Sequence, residues 1–344
     1  MNKSTKIRNM EEFAEFSGVS RPTVSKYFNE PESVRASTRE RIESALELCD
    51  YRPNIFAINQ NRKLTKNIGI VVPYLADPFF AEIARRIENL IIEGGYRPIL
   101  LSSHGDPELE VDNLNSLRSI KPAGVLLAPL GRSSDQVKIE NFCADVPTIN
   151  FDANVEGVGD AFIGHNNDQA TTVMIEYLTR SGEPPVFFEM LTPPNPNAGK
   201  RRNAYLETMM RLGHEPQIIQ VEGEGWELEE IGYRGGIQVI EGKQLSRSTV
   251  FCSNDRLAIG FLAAAFELGV KVGIEPDCEM RVAGHDNHPF SRFTCPTLTT
   301  ISHNYSAIAQ GSVEAVMRLI ESGERGTERA TTLFDGELIM RASA

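Results

Sequence analysis

The sequence predicts an α/β protein: a small all-α head is followed by two doubly wound parallel-sheet subdomains. Two observations predict it. Residues 7–50 have the patterns of three short helices, in a segment, 1–66, that holds 12 Lys and Arg against 9 Asp and Glu although the 344-residue chain carries a net charge of −12. From residue 68 onward, short apolar runs alternate with amphipathic helical segments, as in parallel sheets with helical crossovers. The alternation restarts after about residue 165, which predicts two such subdomains.

The composition is typical of a globular protein, with 41% hydrophobic and 24% charged residues. No apolar run approaches the ~18 residues that a membrane-spanning helix needs, and no apolar stretch of a secretory signal follows the first charges. The five cysteines are odd in number and widely spaced, which argues against a disulfide framework or a zinc site. We therefore expect a cytoplasmic protein without membrane contact, metal or other cofactor.

The head is predicted to contain three short helices between residues 7 and 50. Gly18 separates the first two, Ser20 is a good N-cap, and Pro22 lies in the first turn of a second helix over 21–28. A capping-box pattern at 37–40 opens the third helix. Two short helices joined by a glycine turn, the second presenting Arg and Lys, describe a helix-turn-helix. The residues alone leave open a small helical bundle that binds protein.

The later elements follow from the same alternation of patterns. Strands are predicted at 68–73, 96–101, 125–127, 146–151, 186–190, 218–221, 249–253 and 280–283, and helices at 79–92, 108–119, 171–179, 203–212, 231–240 and 258–268. Ligands of parallel sheets bind beyond the carboxyl ends of the strands. The cleft between the two subdomains is therefore the expected ligand site.

Residues 10–54 resemble the DNA-binding head of the LacI/GalR family of transcriptional regulators. The matching pieces are A-x-x-S-G-V-S-x-x-T-V-S-K at Ala14–Lys26 and Y-x-P-N at Tyr51–Asn54. The resemblance implies DNA contacts by Ser20, Arg21, Pro22, Thr23, Ser25, Lys26 and Asn29. Arg21 stands at a variable base-reading position, and arginine pairs best with guanine.

The segment after the head departs from the family's pattern. Residues 57–60 match the hinge-helix motif A-R-x-L, but Ile58 replaces its Arg and Gln60 its Leu. The family's Leu is an apolar wedge in the minor groove, where an apolar tip unstacks a base step. We expect Gln60 to contact DNA by hydrogen bonding instead, and whether the hinge folds and kinks DNA stays open.

Residues 68–340 resemble the periplasmic-sugar-binding-protein-like core, type I, of the same family. The markers include I-G-I-V-V-P-x-x-x-D-P-F-F at Ile68–Phe80, S-N-D-R-L-A-I-G at Ser253–Gly260 and V-A-G-H-D at Val282–Asp286. The resemblance implies an effector site formed by Asp77, Phe79, Asn166, Arg201, Trp226, Asn254, Asp286 and His303. It also implies a head over 1–53, a hinge over 54–66, a first subdomain over 67–164 plus about 299–326, and a second over 165–298 plus about 327–344.

The chemistry of this set suits a sugar. Asp, Asn and Arg side chains offer directed hydrogen bonds to vicinal hydroxyls, and an aromatic face covers the apolar side of the ring. Structural roles remain open for some members. Phe79 could belong to the core, Asp286 could cap a turn or helix, and Arg201 could lie on a solvated helix face.

No motif of an enzyme stands out. The sequence has no GxSxG elbow and no GxxxxGK[ST] loop, and the pair His285 and His288 lacks further ligands for a metal. We therefore expect no catalytic residues and a DNA-binding transcriptional repressor controlled by a carbohydrate-like effector. It is expected to bind a pseudo-palindromic operator as a homodimer or tetramer. The alternatives are a solute-binding protein and a sugar-modifying enzyme.

Overall fold

The computed structural model describes residues 5–29, 31–51, 65–326 and 329–344. The chain divides into two compact units, residues 1–65 and residues 66–344. The first unit is the helical head, and the second contains both large sheets. Within these described ranges, no helix is both long and apolar enough to cross a membrane.

The described part of the first unit contains three α-helices and a two-residue parallel strand pair. Its elements are β1 Thr5–Lys6, α1 Met10–Ser17, α2 Arg21–Asn29, α3 Ala36–Leu48 and β2 Cys49–Asp50. The side chain of Asn9 caps α1 by accepting a hydrogen bond from the backbone of Glu12, and Gly18 ends the helix with a φ of 67°. Glycine adopts this left-handed conformation without strain. The predicted break between the first two helices is confirmed.

One apolar cluster holds the three head helices together. Phe13 of α1 is fully buried and stacks on Tyr51 with ring centroids 4.6 Å apart. Val24 of α2 and Ile42 of α3 are fully buried in the same cluster. Burying a side chain of this size contributes ~1.5–3 kcal/mol. The cluster therefore fixes the angle at which α2 is presented.

The capping box predicted for the third helix is wrong. Helix α3 begins at Ala36, and Arg35 stands at the cap position without a side-chain hydrogen bond. Ser37 lies inside the first turn instead. Val34 is buried just before the helix, so burial of this apolar side chain sets where the helix starts, in place of a polar cap.

The second unit begins with a six-stranded parallel sheet. Its strands are β3 Asn67–Val72, β4 Arg97–Ser102, β5 Gly124–Leu127, β6 Thr148–Phe151, β7 Ala161–His165 and β13 Ala330–Phe334, in the order β13-β7-β6-β5-β3-β4. The helices that accompany it are α4 Pro78–Glu93, α5 Pro107–Ser119, α6 Gln136–Asp145 and α11 Tyr305–Ser322. Ile70 of β3 packs in one apolar cluster and Val71 in another. Helices thus cover both faces, which explains the continuous apolar runs.

The second sheet of this unit has four parallel strands. They are β8 Val186–Met190, β9 Ile218–Val221, β10 Thr249–Cys252 and β11 Arg281–Ala283, in the order β11-β10-β8-β9. Its helices are α7 Asn167–Ser181, α8 Asn197–Arg211, α9 Leu228–Glu241 and α10 Asp255–Glu267. Phe187 and Phe188 are fully buried in separate apolar clusters on opposite faces. The predicted α/β fold with two doubly wound subdomains is confirmed.

The carboxyl-terminal return differs from the prediction. The resemblance implied that the chain returns to the second subdomain at about residue 327 and stays there to residue 344. Strand β13 instead pairs with β7 in the first sheet, and only β14, Glu337–Ile339, pairs with the crossover strand β12, Thr300–Ser302. Gly336 separates β13 from β14, where a Cβ would lie 2.6 Å from the side chain of Ile301. This close approach divides the extended segment in two.

Two helices of the second subdomain meet backbone to backbone. A Cβ added to Gly260 of α10 would lie 2.0 Å from the carbonyl oxygen of Glu229 and 2.5 Å from the amide nitrogen of Tyr233 in α9. No side chain fits at that distance. The glycine therefore lets α10 approach α9 closely, and this contact fixes the amino end of α10.

We predict that Gly260→Ala lowers the free energy of unfolding by at least ~1–3 kcal/mol, because the methyl group must push two helix backbones apart. Gly199→Ala is the matched control, since a Cβ there meets no atom within 4 Å and alanine is the better helix former. Urea unfolding followed by Trp226 fluorescence measures both variants. Equal stability of the two variants would contradict the tight contact.

Candidate functional site

The exposed face of α2 carries the predicted DNA contacts. Arg21, Pro22 and Lys26 are exposed, and Val24 points into the head core. The Arg21 side chain lies 2.5 Å from a carboxylate oxygen of Glu11 and is 61% exposed. Such exposed ion pairs contribute at most ~1 kcal/mol, so this pair can exchange for a nucleic-acid contact.

The turn before α2 is held by two hydrogen bonds that sequence analysis did not single out. The hydroxyls of Ser20 and Thr23 lie 2.8 Å apart across the first turn. Arg41 of α3 donates a 2.7 Å hydrogen bond to the carbonyl oxygen of Gly18. Ser25 is half-buried on α2. Gln60 and the side chain of Asn29, both predicted DNA contacts, lie outside what the structure describes.

Seven of the eight predicted effector residues line one cavity between the two sheets of the second unit. They are Asp77, Phe79, Arg201, Trp226, Asn254, Asp286 and His303. The cavity volume is about 30 Å³, roughly the space that one water molecule occupies. The walls of the cleft therefore lie close together, and a sugar needs them to move apart. The role of these residues in binding an effector stays a prediction.

Helix caps place two of these residues at the cleft. Asp77 follows β3 and caps α4 by accepting a 2.9 Å hydrogen bond from the backbone N–H of Phe79. Asn254 follows β10 and caps α10 through the backbone N–H of Leu257, also at 2.9 Å. The carboxyl ends of the two sheets thus present these side chains to the same space.

Asn166 does not line the cavity. Its side chain caps α7 through the backbone N–H of Gln169 and donates a 2.8 Å hydrogen bond to Asp335. The next residue, Asn167, is buried and accepts a 3.0 Å hydrogen bond from Nε of Arg201. The asparagine pair therefore supports the site through Asn167, which sequence analysis did not select.

A buried ion pair forms the polar centre of the cleft. Nη2 of Arg201 lies 2.7 Å from Oδ1 of Asp286, and Nη1 donates a 2.7 Å hydrogen bond to the carbonyl oxygen of Ser253. Oδ1 of Asp286 also accepts from Nε2 of His303 at 2.9 Å and Nδ1 of His285 at 3.2 Å. Burial by itself raises the pKa of Asp286, but Arg201 and the two histidines outweigh burial and hold it well below its usual range.

Arg256 bridges the two subdomains, and sequence analysis missed it. Nη1 lies 3.0 Å from Oδ2 of Asp77 in the first subdomain, while Nε and Nη2 form a bidentate pair with Glu229 in the second, at 2.7 and 2.6 Å. Burial raises the pKa of Asp77, and the charge of Arg256 opposes this shift. Arg256 lies two residues after the cap residue Asn254, within the quoted S-N-D-R run. Its place beside a predicted site residue is the signal that could have found it.

A second polar contact joins the subdomains at Asp152, which sequence analysis also missed. Asp152 follows β6 and accepts a 3.0 Å hydrogen bond from the side chain of Asn197 at the start of α8. Its backbone has a φ of 60°, and the residue lines the cavity. Burial raises its pKa to about 7, although Lys200 and Arg201 act in the opposite direction.

Aromatic rings close the apolar side of the cavity. Trp226, from the second subdomain, stacks on Tyr74 of the first with ring centroids 5.3 Å apart and 12° between the planes. It also meets the ring of Phe80 at 6.0 Å, edge-on. Phe79 packs against the His303 ring at 5.0 Å. The lone Trp thus crosses the cleft and packs in the core of the first subdomain.

Three buried histidines lie behind the ion pair. The rings of His165, His285 and His303 have centroids 4.0 to 5.3 Å apart. Burial lowers the pKa of all three, that of His285 to about 3, so the imidazoles are uncharged at neutral pH. Sequence analysis considered only the pair of His285 with His288. It missed the cluster because residues 165 and 303 lie far from 285 in the chain.

Sequence comparisons identify both units of this chain. Residues 9–54 match the family described as bacterial regulatory proteins, lacI family, and residues 175–344 match a periplasmic binding protein-like domain. The NTD biosynthesis operon regulator NtdR of Bacillus subtilis is 27% identical over 97% of this chain and 99% of its own length. The HTH-type transcriptional repressor PurR of Histophilus somni is 27% identical over 98% and 99%.

Structural comparison agrees with the sequence matches. The crystal structure of the lac repressor dimer bound to operator and the anti-inducer ONPF superposes with a TM-score of 0.83 and 23% identity. The match covers 98% of this chain and 99% of that one. The superposition shows a shared fold. The two family matches and these relatives show that the chain belongs to the LacI/GalR family of DNA-binding transcriptional regulators.

Proposed function

We propose that this LacI-family repressor binds pseudo-palindromic operator DNA as a homodimer in the cytoplasm, and that a carbohydrate-like effector in the cleft controls its operator affinity. The observation that carries the proposal is the convergence at one cavity of polar groups and aromatic rings from both subdomains. Nothing in this arrangement calls for a reaction: we propose a binding site and no catalytic residues.

The polar lining suits a ligand with several hydroxyl groups. Asp77, Asn254 and Asp286 offer acceptors to the cavity, and Arg201 and Arg256 offer donors. Each of these groups already has a protein partner, so a ligand must exchange its own hydroxyls for those bonds. Neutral hydroxyls can do this because each is both donor and acceptor.

The aromatic lining suits the apolar face of a sugar ring. Trp226 and Phe79 stand on the two sides of the cavity, and Trp226 contacts both subdomains through its packing on Tyr74. A sugar ring that takes the place of one aromatic side chain would still pack against the other aromatic side chain. Parting of the walls would therefore expose Trp226 to solvent, or to the ligand, and change its fluorescence.

Binding must be coupled to movement of the two subdomains. The cavity of about 30 Å³ is small for a monosaccharide, so we propose that an effector enters when contacts such as Arg256 to Asp77 open. A ligand that prefers one arrangement shifts the equilibrium toward it, with coupling of ~1–3 kcal/mol in typical regulators. Whether the effector releases or promotes operator binding depends on which arrangement the operator-bound protein adopts.

Ligand screening tests the effector class. A thermal-shift screen of the full chain against neutral sugars, sugar phosphates and nucleosides identifies what binds, since a ligand at 100 times Kd stabilises by ~2.7 kcal/mol. We expect a carbohydrate to raise the unfolding temperature and to change Trp226 fluorescence. Stabilisation by nucleosides with no response to any carbohydrate would contradict the effector class while leaving the repressor function intact.

We predict that Asn254→Ala weakens binding of the identified effector at least about tenfold, because it removes a polar group from the cavity. Asn166→Ala is the matched control: both residues are helix caps, so each variant loses a cap of ~1 kcal/mol, but Asn166 does not line the cavity. Fluorescence titration measures both affinities. An equal loss in the two variants would assign the effect to stability rather than to binding.

We predict different roles for Arg21 and Lys26 in the head. If Arg21 reads a guanine, Arg21→Ala costs ~1–3 kcal/mol at one base pair and relaxes the preference there. Lys26→Ala should weaken binding to all sequences alike and reduce the salt dependence by about one phosphate contact. Arg85→Ala, an exposed arginine outside the head, is the control. Gel-shift titrations on operator and random DNA test this, and identical behaviour of both head variants would contradict the division.

A further inference from the structure

Three histidines from separate elements converge behind the effector cavity. His165 ends β7 of the first sheet, His285 follows β11 of the second, and His303 follows the crossover strand β12. All three are buried, with 0 to 4% of each residue exposed. One ring nitrogen of each can be chosen so that the three lie within 4.8 Å of one another.

Four of the six ring nitrogens in this cluster lack a hydrogen-bond partner in the part of the chain that the structure describes. Both nitrogens of His165, Nε2 of His285 and Nδ1 of His303 are buried without a partner among the described residues. Leaving buried polar atoms unpaired is costly, and such atoms in native proteins commonly mark a ligand or ion. Four of them in one cluster require an explanation.

Asp286 sets the protonation of two of the rings. Its Oδ1 is an acceptor only, so the hydrogen bonds from Nδ1 of His285 and Nε2 of His303 place a proton on each of those nitrogens. In an imidazole that carries its proton on one nitrogen, the opposite nitrogen has a lone pair that can bind a metal. A carboxylate that orients metal-binding imidazoles in this way is the usual outer partner of a histidine metal site.

We propose that His165, His285 and His303 bind one divalent transition-metal ion, with zinc as the ion best suited to them. Zinc binds neutral imidazole nitrogens at 2.0–2.1 Å in tetrahedral sites, which sets the ligand nitrogens roughly 3.4 Å apart. The chosen nitrogens, which lie within 4.8 Å of one another, would have to move closer by up to about 1.4 Å to reach that spacing. Three protein ligands leave a fourth position for water or for an atom of another ligand.

An ion can reach the cluster through the residues that border it. His303 lines both the effector cavity and a wider pocket lined by Asn287, His288 and Tyr305. The ligands come from both sheets and from the crossover between them, so a shared ion would tie the two subdomains together. This inference goes beyond the proposed function and does not depend on the identity of the effector.

The test uses the full chain without an affinity tag, stripped of metal with a chelator and kept reduced. Calorimetric titration with Zn²⁺ should show one ion bound per chain, and titration with Mg²⁺ should show none, because Mg²⁺ prefers oxygen ligands. Co²⁺ should give the visible absorption of a tetrahedral nitrogen-ligated ion. Cobalt–thiolate absorption would show binding at cysteines such as Cys278 or Cys295 instead, and would overturn the assignment.

Variants complete the test. His165→Gln and His303→Gln should each weaken Zn²⁺ binding at least about tenfold, whereas His214→Gln, outside the cluster, should leave it unchanged. Circular dichroism of the metal-free variants shows which of them fold. If a variant does not fold, the cobalt spectrum of the unmodified chain still identifies the type of ligand. No Zn²⁺ binding by the unmodified chain, or equal binding by folded His165→Gln, would overturn the proposal.

Discussion

The buried ion pair of Arg201 and Asp286 is the contact on which the rest of the cleft depends. The guanidinium also binds Asn167 and the carbonyl oxygen of Ser253, so all three of its nitrogens have partners. Breaking a buried pair by removing one member typically costs ~3–5 kcal/mol, because the other charge stays buried. The pair therefore acts as a fixed centre around which the histidines, the helix caps and the aromatic wall are arranged.

Besides the packing of Trp226 on Tyr74, the contacts between the subdomains include polar bonds that a ligand or water can replace. Arg256 joins Asp77 across the cleft, and Asp152 binds Asn197. Such bonds can be exchanged for bonds to a ligand or to water at modest net cost, since each gains only ~0.5–1.5 kcal/mol, or ~1.5–3 when charged. Each subdomain core, by contrast, is apolar and close-packed. Each subdomain thus has its own apolar core, and some of the contacts that join them are replaceable.

Much of the fold followed from local pattern, whereas the site followed only in part. Alternation of apolar runs and amphipathic helices predicted the two sheets, and the residues after strand ends predicted Asp77, Asn254 and Asp286. Local pattern misplaced the start of α3, since burial of Val34 overrides the capping signal there. Arg256 could not be selected because its role depends on which subdomain faces it. The histidine cluster could not be predicted from the sequence for the same reason, because its members come together only in the tertiary fold.

We propose that effector binding and operator binding are coupled because both shift the same equilibrium between two arrangements of the second unit's subdomains. Linkage requires the effect to be reciprocal. The direct measurement is the effector affinity, followed through Trp226 fluorescence, of free protein and of protein saturated with operator. We predict that saturation with operator changes the effector affinity by about 5-fold or more. Saturation with effector should change the operator affinity by the same factor. Identical effector affinity in both states, with an operator affinity that nevertheless responds to the effector, would contradict it.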